Sequence, residues 1–348
     1  MKPPGLNPQG RNIFLITTPL QFILANLIKS EFNLETEFLI VTDPDIWLKQ
    51  IDEAAKTLHI NNYKKIFKPY DPYKRNKLRL LFKETVRYIS ILKLKKTLKR
   101  CDNVFIGLAT SPINRPIVCD FERYNLVFFD DGAATIRFLR KREAGRRDIT
   151  FPAGSLIHFY TKLYPRSIIL DKIVYYTIYP GLHGAPEDEI IHLKSKLPSC
   201  LNRKKKQVYE VWFIGGPLVE NGVISNNAYT EIINNILKFC RNSRNKFVYF
   251  AHRAERWIYK FSDIEIRRLS IPWELFYIKS DVIPKAIVSV ISSVILNLAI
   301  LTKPLCPLLY LDVKDVLRND IVTEIQEYGK TFLGIQVIKL NELGKFIY

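Results

Sequence analysis

The sequence is poor in the residues that hold metals and disulfides. Its five cysteines, Cys101, Cys119, Cys200, Cys240 and Cys306, show no C-x-x-C spacing and are odd in number, which argues for free thiols in a reducing compartment. Five histidines with no Cys/His cluster leave little material for a zinc site, so no required metal is expected. No G-x-G-x-x-G, P-loop or G-x-S-x-G pattern is present, which counts against a dinucleotide oxidoreductase, a P-loop enzyme and an α/β-hydrolase. Long apolar runs are missing as well. The longest, Ala286–Leu301, is interrupted by Ser289, Ser292, Ser293 and Asn297 and, at about sixteen residues, is short of a spanning helix. With no signal-peptide organisation at the start, the expected location is cytoplasmic, peripheral to the inner face of a membrane. Acidic residues are the last shortage: 34 against 53 Lys and Arg give a formal charge of +19. That surplus points to a polyanionic partner: nucleic acid, an anionic membrane or a phosphorylated glycolipid.

What is present describes an ordinary globular chain, 47% hydrophobic and 25% charged, whose 348 residues suit two domains. Asn125–Thr135 organises it. Leu126 to Phe129 are large and apolar without alternation, as in a parallel strand covered on both faces, and the run stops in Asp130, Asp131 and Gly132. Two carboxylates at the carboxyl end of a buried strand lie where α/β sheets bind ligands. Adjacent like charges also raise the proton affinity of one, which suits a general base. A strand-ending turn in which Asp caps the next helix is the plainer reading.

A βα rhythm surrounds this stretch. Asn12–Thr17 reads as a strand, Thr18 as an N-cap with Pro19 at the first helical position, and Gln21–Glu31 as a helix. Thr36–Thr42, Tyr63–Phe67 and Val104–Ala109 read as strands and Asp45–Leu58 as a helix. Lys74–Arg100 reads as a long amphipathic helix with a polar side of one sign, either a solvated face or a membrane-binding one. The rhythm breaks from Arg140 to Lys206, read as an insertion and a linker. It resumes with the strand Val208–Ile214, the turn Gly215-Gly216-Pro217, a helix over Asn227–Cys240, and strands Phe247–Ala251 and Ile287–Ile291. Domains at 1–190 and 207–348 follow, two Rossmann-like doubly wound α/β domains facing a central cleft.

The strands of the second half also end in polar residues. His252 follows an apolar strand, where an imidazole can donate a proton near neutral pH or simply pack. Ser292-Ser293 precede an apolar helix and serve either as an N-cap alone or, with the amides of the helix start, as a phosphate site. Glu274, in Ile-Pro-Trp-Glu-Leu-Phe, is a first-turn acid or a ribose acceptor.

Taken together, Ile-Thr-Thr-Pro-Leu-Gln at 16–21, Phe-Asp-Asp-Gly at 129–132, Phe-Ile-Gly-Gly-Pro-Leu-Val-Glu-Asn-Gly at 213–222, Phe-Ala-His-Arg at 250–253, Pro-Trp-Glu-Leu at 272–275 and Ser-Ser at 292–293 resemble the bacterial lipooligosaccharide sialyltransferase family. The resemblance implies a GT-B-type fold, CMP-sialic acid as donor, no cofactor or metal, and inversion at the anomeric carbon. It makes His252 the general acid at the CMP phosphate, Ser292 and Ser293 the phosphate holders and Glu274 the ribose contact. It also places Thr18, Pro19, Gln21, Asp130, Gly132, Gly215, Gly216, Arg253 and Leu275 at the substrates. Two positions depart from the family pattern. Arg253 follows His252 with no intervening proline, and Leu218 stands where some members carry the basic carboxylate after the Gly-x-Pro loop. The base is therefore Asp131 or Glu220, with Asp131 favoured because a strand end fixes it.

The expected acceptor is a terminal sugar, galactose foremost, of a lipopolysaccharide or capsular glycan, with peripheral contact to an anionic membrane and room for a homodimer. The transferred sugar is sialic acid or a related nonulosonate; another nucleotide sugar, as in a glucosyltransferase, is the alternative within the same fold. From a different class, a basic nucleic-acid-binding protein rests on the charge alone and shows no recognised motif, so no nucleic-acid partner is expected.

Overall fold

The computed structural model describes residues 4–41, 45–66, 85, 89–100, 102–107, 111, 114–151, 164–194, 196–197, 205–252, 254–255, 264–313 and 316–347. The chain forms two compact units, Met1–Ser195 and Lys196–Tyr348.

The first unit is built on a seven-stranded parallel sheet. Its strands are β1 (Asn12–Ile16), β2 (Thr36–Ile40), β3 (Tyr63–Lys65), β4 (Asn103–Ile106), β5 (Asn125–Phe129), β8 (Val174–Thr177) and β9 (Glu189–His192), with a small antiparallel hairpin of β6 (Asp148–Thr150) and β7 (Ser167–Ile169) beside it. The spatial order 3-2-1-4-5-8-9 puts the reversal between β1 and β4. Helix α1 (Pro19–Phe32) starts as its sequence dictates: Thr18 is extended, its hydroxyl accepts from the Gln21 amide, and Pro19 occupies the first turn. Asn33 ends it in the left-handed region at φ 51°. Helices α2 (Asp45–Thr57) and α3 (Ala134–Glu143) follow β2 and β5. Aromatic packing fills the sheet centre, with Phe14 stacked on Phe105 at 4.0 Å between centroids.

Arg140–Lys206 is not an insertion. Its strands β8 and β9 extend the main sheet, Val127–Phe129 pairing with Val174–Tyr176 and β8 in turn with β9. The stretch misleads because β9, at the sheet edge, is Glu-Ile-Ile-His and only half buried. A buried ion pair secures this edge: Arg142 Nε and Nη2 donate to Asp188 Oδ2 and Oδ1, each at 2.7 Å, and these oxygens also accept the Ala185 and Ile173 amides respectively.

Only part of the basic Lys74–Arg100 segment lies within the described residues. Residues 89–97 are helical, with Ile91 and Leu94 buried and Lys93, Lys96, Lys99 and Arg100 exposed. Lys95 is turned to the structure instead, 2.6 Å from Asp120 and donating to the Tyr164 hydroxyl.

The second unit has a six-stranded parallel sheet of β11 (Glu210–Ile214), β12 (Lys246–Phe250), β13 (Glu265–Arg267), β15 (Ala286–Ser289), β16 (Leu308–Leu311) and β17 (Gln336–Ile338), plus a two-residue pairing of β10 (Lys206–Gln207) with β14 (Val282–Ile283). The order 13-12-11-15-16-17 again reverses beside its first strand, between β11 and β15. This is the doubly wound order, and its switch point is where such sheets take ligands. Helices α4 (Asn226–Asn242), α5 (Trp273–Lys279), α6 (Ser293–Leu301) and α7 (Asn319–Leu333) make the connections. The apolar run Ala286–Leu301 is thus divided into a strand and a nine-residue helix, and no helix among the described residues is long and apolar enough to cross a membrane.

Candidate functional site

At the switch point of the first unit, Thr17 and Thr18 follow β1, Gly107 follows β4, and Asp130 and Asp131 follow β5. The two aspartates face opposite fates. Asp130 is fully buried; its Oδ2 accepts the Ile178 amide at 2.5 Å and its Oδ1 has no hydrogen-bond partner among the described residues. Burial, with the Asp131 charge a lesser cause, pushes its carboxyl up to about 7. Asp130 is therefore an interior group, and its expected place at the substrate is corrected.

Asp131 is half buried and held by side chains. Gln21 Nε2 donates to its Oδ1 at 2.8 Å and the Thr18 hydroxyl does so at 3.2 Å, while the Asp131 amide donates to Thr135 Oγ1. Gln21 has no freedom in this. Its Oε1 accepts from the Thr17 amide and hydroxyl at 2.7 and 2.8 Å, which fixes the amide's orientation and turns the NH2 to Asp131. A Cβ on Gly107 would overlap the Gln21 amide, so a glycine is required there. Gln21 and Pro19, both buried, position the site rather than line it. Gly132 turns the chain at φ 67°, and Ala133 stands at the N-cap of the following helix without a side-chain cap bond. A cavity of about 240 Å³ lies beside Asp131.

In the second unit, β11 ends in Gly215-Gly216. Gly215 rests on a buried cluster missed by sequence reasoning: Glu255 Oε1 accepts from the Tyr249 and Tyr229 hydroxyls at 2.6 and 3.2 Å, and Oε2 accepts the His252 amide at 2.5 Å. A side chain on Gly215 would collide with the Tyr249 hydroxyl and, at 2.6 Å, with Glu255 Oε2. Burial raises the Glu255 carboxyl to about 7. Its charged neighbours in the sequence gave no sign of an interior acid.

His252 is half buried, and its Nδ1 accepts the Ala254 amide at 3.1 Å. With Nδ1 accepting, Nε2 is the ring nitrogen placed to donate. Arg253 lies outside the described residues. Leu218 is buried in the hydrophobic core, and Glu220 follows on the exposed turn.

Gly216 borders the third piece: a Cβ built on it would sit 3.8 Å from the Ile291 carbonyl, next to Ser292. Ser292 caps α6, its hydroxyl accepting the Val294 amide at 3.2 Å, and Tyr310 donates to its carbonyl. Ser293 opens the helix, and Asn297, one turn on, donates to Glu274 Oε1 at 2.8 Å. Glu274 is 4% exposed and shares one helix end with the serines. Leu275, at 2% exposure, is a core residue, which corrects its expected role at the substrate. The second unit thus gathers Gly215, Gly216, His252, Ser292, Ser293 and Glu274 around the carboxyl ends of β11, β12 and β15.

No protein-family model matches the sequence, and no characterised protein matches it at a significant level. Solved structures do match in fold. The UDP-GlcNAc 2-epimerase of Methanocaldococcus jannaschii, in complex with UDP-GlcNAc and UDP, aligns over 97% of this chain and 93% of its own with 11% identity and a TM-score of 0.53. MurG of Acinetobacter baumannii aligns over 95% and 86% with 10% identity and a TM-score of 0.40. The glycosyltransferase SnogD from Streptomyces nogalater aligns over 97% and 91% with 11% identity and a TM-score of 0.43. The fold is α/β, of the GT-B type.

Proposed function

We propose that this GT-B chain is an inverting glycosyltransferase that moves sialic acid, or a related nonulosonate, from a CMP-sugar to a terminal sugar of a bacterial surface glycan. The observation that carries the reading is the fixed carboxylate of Asp131 at one switch point, matched in the other unit by a glycine turn beside a serine-capped helix.

The chemistry follows from those parts. The acceptor hydroxyl attacks the anomeric carbon, giving its proton to the Asp131 carboxylate as the new carbon–oxygen bond forms. The bond from that carbon to the CMP phosphate breaks with its electron pair on the phosphate oxygen, and the configuration inverts. Thr18 and Gln21 keep the carboxylate oriented, so little reorganisation is needed during the step. The departing phosphate is met by His252 Nε2–H, the serine hydroxyls and the first amides of α6. In this reading His252 is the general acid that meets the phosphate, directed at it through Nε2. Glu274 is the ribose contact of this reading. The reading asks for no cofactor or metal. Asp131 is preferred to Glu220 as base because Glu220 lies on an exposed turn. Lys93, Lys96 and Lys99 would contact an anionic membrane.

A UDP-sugar donor is the second reading, favoured by the UDP-GlcNAc-bound structure of the same fold. Incubation with CMP-sialic acid and with UDP-sugars, against galactose-terminated acceptors, separates the two. A product heavier by one sialyl residue supports the first; transfer from the UDP-sugars alone contradicts it.

A further inference from the structure

One buried carboxylate joins two elements of the second unit, the glycine turn after β11 and the histidine turn after β12. Glu255 closes the histidine turn, its amide donating to the His252 carbonyl at 3.0 Å, and its side chain folds into the interior, leaving the residue 4% exposed. There Oε1 accepts the Tyr249 and Tyr229 hydroxyls, which also bond each other at 2.6 Å. Oε2 serves both turns. It accepts the His252 amide at 2.5 Å, and it lies 2.6 Å from where a Cβ on Gly215 would stand. Arg268, just past β13, holds the same histidine turn from an exposed position, Nη1 donating to the His252 carbonyl at 3.2 Å and Nη2 to the Glu255 carbonyl at 2.9 Å.

Stability alone does not call for an acid here. An apolar side chain of similar volume would fill the space without the cost of desolvating a carboxyl group. It could not accept the His252 amide. The backbone of His252 is thus fixed at both its amide and its carbonyl, and the Ala254 amide on Nδ1 fixes the ring to the same turn. The direction of Nε2 is set by the turn, and the turn is set by Glu255 and Arg268.

We propose that Glu255 is a positioning residue for the donor: through one oxygen it fixes His252 against the Gly215-Gly216 turn, so that Nε2 and the turn meet the nucleotide phosphate together. The inference rests on the proposed role of His252 at that phosphate. Glu255 makes and breaks no bond in the transfer and acts only through His252. Its leverage is geometric, since a displacement of ~1 Å in a group that positions a reaction can cost ~10²-fold in rate.

The test reads the His252 ring and the nucleotide separately, in the full chain. Glu255→Asp keeps the charge but is one methylene shorter, whereas Glu255→Gln keeps the length and an oxygen for the His252 amide. Without nucleotide, the His252 ring signals in the proton NMR spectrum, identified by their loss in His252→Ala, should move in Glu255→Asp and stay near their wild-type positions in Glu255→Gln. With CMP, Glu255→Asp should weaken binding about tenfold or more, yet less than about twofold when residue 252 is already alanine, because a residue that acts through His252 then has nothing left to position. A purely structural role would cost the same in both backgrounds. Arg268→Gln releases the same turn from the exposed side and should repeat the pattern at smaller amplitude, which decides the matter if Glu255→Asp does not fold. Ring signals that stay in place in these two variants, or an affinity loss as large in the His252→Ala background, overturn the proposal. Binding of UDP in place of CMP contradicts the proposed donor alone, and the same comparison is then read with UDP.

Discussion

Gln21 and Asp131 meet across 110 residues of sequence, the Gln21 amide donating to the carboxylate at 2.8 Å while its own carbonyl is locked by Thr17. The base is thus held by a side chain that cannot rotate away without losing three hydrogen bonds.

Removing the carboxylate and removing its holder should have graded effects. Asp131→Asn is expected to lower kcat by ~10²–10⁴-fold with nucleotide binding retained. Gln21→Glu keeps the Thr17 bonds but turns a like charge on Asp131, and should lower kcat by about tenfold or more. Glu220→Gln should change little. Steady-state kinetics checks all three, and an inactive but folded Glu220→Gln beside an active Asp131→Asn moves the base to the loop.

The two glycines of the turn should respond differently to the same substitution. Gly215→Ala drives a methyl into the Tyr249 and Glu255 oxygens, at a cost of ~1–3 kcal/mol. Gly216→Ala meets Leu218 at an ordinary 3.5 Å and should leave stability nearly unchanged. Denaturant melts of the pair decide it; equal stability would mean that Glu255 does not press on Gly215.

Glu255 also predicts a pH dependence. Its carboxyl moves from an ordinary 4.5 to about 7 in the folded chain, chiefly through burial. Between those values the folded state holds a proton that the unfolded state has lost, so stability falls as pH rises through this window and levels off above about 7. Asp130, moved from 3.8 to about 7, adds to the same slope. Glu255→Gln should therefore flatten, without abolishing, the fall in Tm from pH 5 to pH 8. A slope identical to wild type would contradict the assignment.

The exposed lysines of residues 89–100 carry a membrane prediction. Lys93, Lys96 and Lys99 changed to Glu should release the protein from anionic vesicles with turnover of a soluble acceptor nearly unchanged. Lys95 is left out because it is tied to Asp120. Undiminished vesicle binding in sedimentation assays would place the membrane contact elsewhere.

Much of the fold could be read locally. Unalternating apolar runs marked β1, β5 and β11, and the Thr18-Pro19 start of α1 and the Ser292 start of α6 are cap signals contained within a few residues. What escaped depends on partners distant in sequence. Asp130 and Asp131 are adjacent, and the buried one is the one met by the Ile178 amide, just past β8 and 48 residues away in sequence. Glu255 sits among charged residues that suggest solvent, yet Tyr229 and Tyr249 enclose it. Leu275 looked like part of a motif, whereas its apolar side chain belongs to the core.

The donor is the central claim, and thermal melting with nucleotides tests it most directly. CMP should raise the Tm of the wild-type chain well above any shift from UDP at the same concentration, because a ligand that binds only the folded state stabilises it by mass action. The shift should shrink in Ser292→Ala/Ser293→Ala and in His252→Ala, whose own melting without nucleotide gives the reference. An equal or larger shift with UDP, or none with CMP, would contradict a CMP-sugar donor.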